Sequence, residues 1–115
     1  MHAKIKLQEI PELLDAEIIQ GDAAENSIEG AYCSDLLSDV MANATEGNAL
    51  ITIQAHKNTV AVASLYGAPC IIICNNRPVP EDMIEAARDE RIAIYRCSRN
   101  QFQVSGTLYR KMLDS

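Results

Sequence analysis

Residues 49–97 read ALITIQAHKNTVAVASLYGAPCIIICNNRPVPEDMIEAARDERIAIYRC, and this stretch decides the fold. Three short β-branched runs, Ala49–Gln54, Cys70–Cys74 and Ile92–Arg96, recur about twenty residues apart. Between them lie helix-like segments with the right punctuation. Thr59–Tyr66 ends at Gly67, suited to a left-handed C-cap, and Glu81–Arg91 follows Pro80, whose fixed φ suits a first helical position. Strand, helix, strand, helix at this spacing needs right-handed crossovers, which produce a parallel sheet covered on both faces. The expected fold class is α/β: a three-layer sandwich with a mostly parallel sheet of four to five strands, in a single domain.

Working outward, Ile28–Cys33 reads as a further strand interrupted by Gly30. Ser34 then stands as an N-cap and Asp35 in a first turn, with Leu36, Leu37, Val40, Met41 and Ala44 on one helical face. Nearer the N-terminus, Leu7, Ile10, Leu13 and Leu14 have helical spacing, and a short apolar run covers Ala16–Ile19 before the polar Gln20–Asn26. At the other end, Ser98-Arg99-Asn100-Gln101 has a capping-box pattern and opens a helix with Phe102, Leu108, Tyr109 and Met112 as apolar positions. Gly106, between Ser105 and Thr107, predicts close packing there against the sheet or a second subunit.

A chain of 115 residues holds one hydrophobic core, so residues 1–115 are read as one domain. A composition 48% hydrophobic and 23% charged excludes disorder and a small disulfide scaffold. The net charge of −6 disfavours nucleic acid and anionic lipid as partners. That charge is uneven: residues 1–50 carry two basic and ten acidic side chains, whereas residues 51–115 carry eight basic and six acidic, so cations concentrate in the second half. The N-terminal Met-His-Ala-Lys-Ile-Lys lacks a secretory apolar stretch, and no apolar run approaches the roughly 18 residues of a membrane span. The expectation is a cytoplasmic protein whose four cysteines are reduced thiols, at least three of them buried. Their spacing fits no zinc site. Cys70 and Cys74, four strand steps apart, stand roughly 13 Å from each other, too far for a disulfide. Neither a resident cofactor nor a metal is expected.

In open parallel sheets, ligands bind beyond the carboxyl ends of the strands, where helix N-termini point free N–H groups outward. The loops there carry His56, Lys57 and Asn58, then Asn75, Asn76 and Arg77, then Ser98 and Arg99. Ser34 and Asp35 join them if their strand is parallel to the rest, and helical i, i+4 spacing would set Asp35 beside Asp39. These cations and amides suit a small anion or a nucleotide. Each also has a structural explanation: Asn58 and Ser98 as helix caps, Asn75-Asn76 as a left-handed turn, and Asp35 and Asp39 as complements to a helix dipole. The P-loop, the dinucleotide fingerprint, the nucleophile elbow and the zincin motif are all missing.

Taken in order, Tyr32–Ala42 (YCSDLLSDVMA), Ile51–Gln54 with His56, Asn58–Ala63, the Arg77-Pro78 turn and Phe102–Tyr109 resemble the DRTGG-domain proteins, over nearly the whole chain from Leu7 onward. In place of the name-giving Asp-Arg and Thr-Gly-Gly, this chain has Ala55-His56-Lys57 and Cys74-Asn75-Asn76. The resemblance implies a fold similar to the N-terminal domain of HPr kinase/phosphorylase, which lacks the catalytic P-loop. It further implies a regulatory or dimerising module, found within nucleotide-regulated pyrophosphatases with CBS domains or as a stand-alone protein, without an established activity.

Three readings follow. The favoured one is a non-catalytic, homodimeric regulatory or ligand-sensing module that takes a small anion or nucleotide on the rim formed by Ser34, Asp35, Asp39, His56, Lys57, Asn58, Asn75, Asn76, Arg77 and Ser98. The alternative is an accessory subunit of a larger redox or phosphotransfer system, docking a protein partner through acidic residues such as Asp22, Glu25 and Glu29. The third is an enzyme with Asp39 and His56 as acid and base, with Mg²⁺ as an aid.

Overall fold

The computed structural model describes residues 3–21 and 26–114. In chain order the elements are β1 (Ile5–Lys6), a 3-10 turn (Leu7–Glu9), α1 (Ile10–Leu14), β2 (Glu17–Gln20), β3 (Ser27–Ile28), β4 (Gly30–Cys33), α2 (Leu37–Asn43), β5 (Asn48–Thr52), α3 (Lys57–Tyr66), β6 (Cys70–Ile73), α4 (Glu81–Glu90), β7 (Ala93–Arg96) and α5 (Gln101–Leu113). A five-stranded sheet has the order β2-β7-β6-β5-β4. Strands β4 to β7 are parallel, and β2 adds an antiparallel edge on β7, where Glu17 pairs with Arg96. The α/β class and the mostly parallel five-stranded sheet are therefore as expected.

Alternation along the strands divides the core in two. Ala49, Ile51, Cys70, Ile72, Cys74, Ala93, Tyr95 and Cys97 point toward α1 and α5, against Ile10, Leu14, Val104, Leu108 and Met112. Leu50, Ile71, Ile73 and Ile94 point the other way, onto Val40 of α2, Val60 and Ala63 of α3, and Met83 and Ala87 of α4. Each fully buried Ile or Leu contributes about 1.5–3 kcal/mol. The Tyr95 hydroxyl, inside the first cluster, donates to the Leu7 carbonyl at 3.3 Å and ties the N-terminal turn to the sheet. Among the described residues, no helix is long and apolar enough to cross a membrane.

Several local expectations are corrected. Ile28–Cys33 is two strands: Ile28 pairs with Ile5 in a separate two-stranded antiparallel sheet, and pairing resumes at Gly30 against Asn48 in the main sheet. The break at Glu29 turns its N–H to the Gly47 carbonyl. Helix α2 starts at Leu37, after an extended Leu36, so Ser34 does not cap it and Asp35 is outside its first turn. Leu36 and Met41 are 65% and 57% exposed, leaving Val40 as the buried anchor. The caps move as well. His56 caps α3 in place of Asn58, accepting from the Asn58 N–H at 3.0 Å through Nδ1. Asn100 and Gln103 form the reciprocal capping box of α5, two residues beyond the expected Ser98 and Gln101. Gly106 has open space where a side chain would be, so it does not pack against the sheet.

Candidate functional site

Because β4 to β7 are parallel, the segments after them, Ser34–Leu36, Ile53–His56, Cys74–Pro80 and Cys97–Asn100, leave the sheet on one rim. All ten residues read from the sequence lie on that rim or in the first turn of a helix rising from it. They divide into side chains that build the rim and side chains that it presents.

Asp35 is the main builder. Its Oδ1 accepts from Thr52 Oγ1 at 2.8 Å, the Ile53 N–H at 2.9 Å and Gln101 Nε2 at 3.0 Å. Its carbonyl accepts from Gln54 Nε2 at 3.1 Å. One residue thus joins the loop after β4, the end of β5 and the start of α5. This explains why α2 starts late: Asp35 is drawn back to the sheet and Leu36 must stay extended. Asp39, one turn into the chemistry expected beside it, has other partners. Tyr32 donates to its Oδ2 at 2.8 Å and Asn43 Nδ2 to its Oδ1 at 2.9 Å. The Tyr32 bond, aided by the Ser34 hydroxyl, holds the Asp39 carboxyl below its usual range, and the same bond raises the Tyr32 phenol. The expected pairing of Asp35 with Asp39 on one helical face is therefore replaced by two separate hydrogen-bonded carboxylates. Among the described residues, no group of three or more His, Cys, Asp or Glu side chains could hold a metal ion.

The turn after β6 is as its sequence suggests. Asn75 and Asn76 take φ of 61° and 50°, a left-handed region that Asn tolerates better than most residues. Their N–H groups donate to the carbonyls of Arg99 and Cys97 at 3.0 and 2.8 Å, which fastens the loops after β6 and β7 together. Arg99 is removed from the expected anion cluster, because its Nη1 donates to the Leu13 carbonyl at 3.1 Å. The last carbonyls of α1 carry partial negative charge and attract it.

What remains on the rim is exposed. The side chains of Lys57, Asn58, Asn75, Asn76, Arg77 and Ser98 make no hydrogen bond or ion pair with the described residues, and His56 keeps Nε2 free after capping with Nδ1. Thr52, Gln54 and Gln101, which the sequence did not single out, supply three of the bonds beneath them. Of the acidic docking residues, Glu29 is exposed, whereas Asp22 and Glu25 lie outside the described residues.

A second surface runs along the edge of the sheet. Beside β4, whose outer edge has no neighbouring strand among the described residues, a mainly apolar cavity of about 370 Å³ is lined by Ala31, Cys33, Ile51, Ser105, Leu108 and Met112. Ser105 Oγ is buried there without a hydrogen-bond partner among the described residues. On the outer side of α5, Phe102, Tyr109 and Leu113 are 86%, 60% and 52% exposed, with Gly106 between them at helical spacing.

The sequence profile of the family described as HPr Serine kinase N terminus matches residues 45–112, more than half of the chain. A similar solved structure is that of the CBS and DRTGG domains of the regulatory region of Clostridium perfringens pyrophosphatase, complexed with its activator diadenosine tetraphosphate. The TM-score is 0.73 at 15% sequence identity, over 93% of this chain and 47% of that one. This chain therefore spans about half the length of that relative, and the likeness is one of fold. No curated protein matches in sequence.

Proposed function

The chain belongs to the family of the HPr serine kinase N terminus, and from that premise we propose that it is a non-catalytic regulatory module. It acts in the cytoplasm as a single-domain homodimer, and senses a small anion or nucleotide on the carboxyl-end rim. The observation that carries this reading is the division of labour on the rim. Below, the Asp35 carboxylate with the Thr52 hydroxyl and the Gln54 and Gln101 amides fixes the loops, while Lys57, Asn58, Asn75, Asn76 and Arg77 stand exposed without partners among the described residues. Cations and amide donors at helix starts are suited to phosphate oxygens. Asp39 and His56, the pair an acid–base reaction would need, are each engaged in a structural hydrogen bond. A related fold serves in a regulatory region complexed with diadenosine tetraphosphate, so phosphorylated nucleosides are the class to test first.

The test is thermal unfolding with inorganic phosphate, mononucleotides and dinucleoside polyphosphates. A ligand at 100 times its Kd stabilises the native state by about 2.7 kcal/mol. The expected result is a rise in Tm with one of these ligands, lost in the double variant Lys57→Ala, Arg77→Ala. An unchanged Tm with all of them at millimolar concentration would overturn the ligand-sensing reading.

A further inference from the structure

Behind the rim lies a pair of thiols that the ligand reading does not use. The β6–β7 ladder pairs Ile73 with Arg96, and one step further the Cys97 N–H donates to the Ile73 carbonyl at 3.0 Å. Cys74 and Cys97 therefore sit side by side where their strands end. Neighbouring strands are about 4.8 Å apart, within the roughly 4.4–6.8 Å between α-carbons that a disulfide spans. Both side chains point to the α5 face and share one core cluster. The chain leaves β6 through the left-handed Asn75-Asn76 turn, directly after Cys74, whose N–H still donates to the Thr52 carbonyl of β5 at 3.0 Å.

The two sulfurs are chemically unlike. Their mutual side-chain interaction, with help from the Arg99 backbone and charge, lowers the Cys97 thiol to about 7 and, together with burial, pushes Cys74 up. Each sulfur also lies near a backbone carbonyl, Cys74 Sγ 4.0 Å from that of Ile72 and Cys97 Sγ 3.9 Å from that of Arg99. A thiolate beside a protonated thiol is the arrangement needed for one sulfur to attack and the other to resolve. Cys70 faces the same core from the far end of β6, four residues before Cys74, and burial pushes its thiol up. Cys33 is exposed, with Gln101 Nε2 3.7 Å from its sulfur.

We propose that Cys74 and Cys97 form a reversible redox site that takes hydrogen peroxide as its oxidant and closes to a disulfide across β6 and β7. The Cys97 thiolate attacks one peroxide oxygen, the O–O bond breaks, and hydroxide leaves to become water with the proton that Cys97 released. The Cys74 sulfur then attacks the resulting sulfenic sulfur, the S–O bond breaks, and the departing hydroxide takes the Cys74 proton as a second water. Two thiols are oxidised by two electrons and one peroxide is reduced to two waters. With Cys97 only 2% exposed and Cys74 fully buried, a bulky oxidant is excluded, which is why the oxidant proposed is small and neutral. A dithiol reductant reopens it by thiol–disulfide exchange.

The experiment uses the full chain, reduced, treated with hydrogen peroxide, then denatured, alkylated and weighed, with peptide mapping of the product. The expected result is loss of two of the four alkylatable thiols, a mass lower by two hydrogens, a Cys74–Cys97 linked peptide, and full recovery with dithiothreitol. Cys33→Ser and Cys70→Ser retain this product, and Cys74→Ser and Cys97→Ser abolish it. Mapping in the unaltered chain decides the matter even if a core variant fails to fold. Four free thiols after treatment, a Cys33 cross-link between chains as the sole product, or Cys97 over-oxidised with Cys74 still free would each overturn the proposal.

Discussion

At Asp35 a single carboxylate oxygen accepts from a buried hydroxyl, a backbone N–H and a side-chain amide. Bonds to a charged acceptor contribute about 1.5–3 kcal/mol each and are not additive. Removing the acceptor also strands the buried Thr52 hydroxyl. Asp35→Ala should therefore cost about 3 kcal/mol in urea unfolding, and Thr52→Val about 1–2 kcal/mol. A neutral Asp35→Ala would mean that the carboxylate is available to a ligand after all. At Cys97 the prediction concerns pH. Its thiol stands at about 7 against an ordinary 9.0, so between those values the folded chain binds fewer protons than the unfolded one. This group's stabilisation is then fully present above pH 9 and is lost as pH falls through 7. Cys74 acts in the opposite direction, keeping its proton above pH 9, where the unfolded chain releases it. The pair should give stability that climbs from pH 7 to 9 and declines beyond. Cys74→Ala removes the neighbouring thiol that lowers Cys97, and should move the ultraviolet thiolate titration of Cys97 upward and flatten the climb.

Elements were legible where their signals are local. The β-branched runs of β5, β6 and β7, Gly67 at the end of α3 and Pro80 before α4 each reflect a short-range physical preference, and each marks a feature of the fold. Where a distant partner decides, the pattern misleads. Ser34-Asp35 looks like a helix start, but Asp35 is claimed by Thr52, 17 residues away, and by Gln101, 66 residues away. The two-residue strands β1 and β3 are too short to leave any periodicity. On the candidate site, chain topology made the loops legible. The supporting layer was not, because Gln54 and Gln101 are ordinary polar residues until β4, β5 and α5 are assembled. Cys74 and Cys97 form no motif, and only sheet register makes them neighbours. Gly106 tests this distinction at the level of α5. Glycine is poor in a helix interior, and open space surrounds this one. Gly106→Ala should therefore stabilise the monomer by about 1 kcal/mol, measured by urea unfolding at dilution. A loss of stability would mean that α5 packs more closely than its own chain requires.

For the whole molecule, the acidic charge and the apolar stripe of α5 oppose each other in self-association. Two copies at −6 each repel, a long-range effect that salt screens. Phe102, Tyr109 and Leu113 attract, since burying a large apolar side chain contributes about 1.5–3 kcal/mol, and a two-fold axis repeats each contact on the other subunit. The edge of β4 that no described strand covers and the apolar cavity between it and α5 continue the same side of the molecule. A dimer across this side should sediment as such at micromolar concentration and tighten as salt is raised. Phe102→Asp puts two buried charges in place of two buried rings, and should weaken the dimer by roughly 100-fold or more, since 1.4 kcal/mol is tenfold in Kd. The far-ultraviolet circular dichroism should be unchanged, because Phe102 is 86% exposed and contributes little to its own chain's core. If Phe102→Asp sediments as the unaltered protein does, the interface lies elsewhere. If the unaltered protein is a monomer at all concentrations and salts, the homodimer in the proposed function falls, and α5 presents its apolar side to a different molecule.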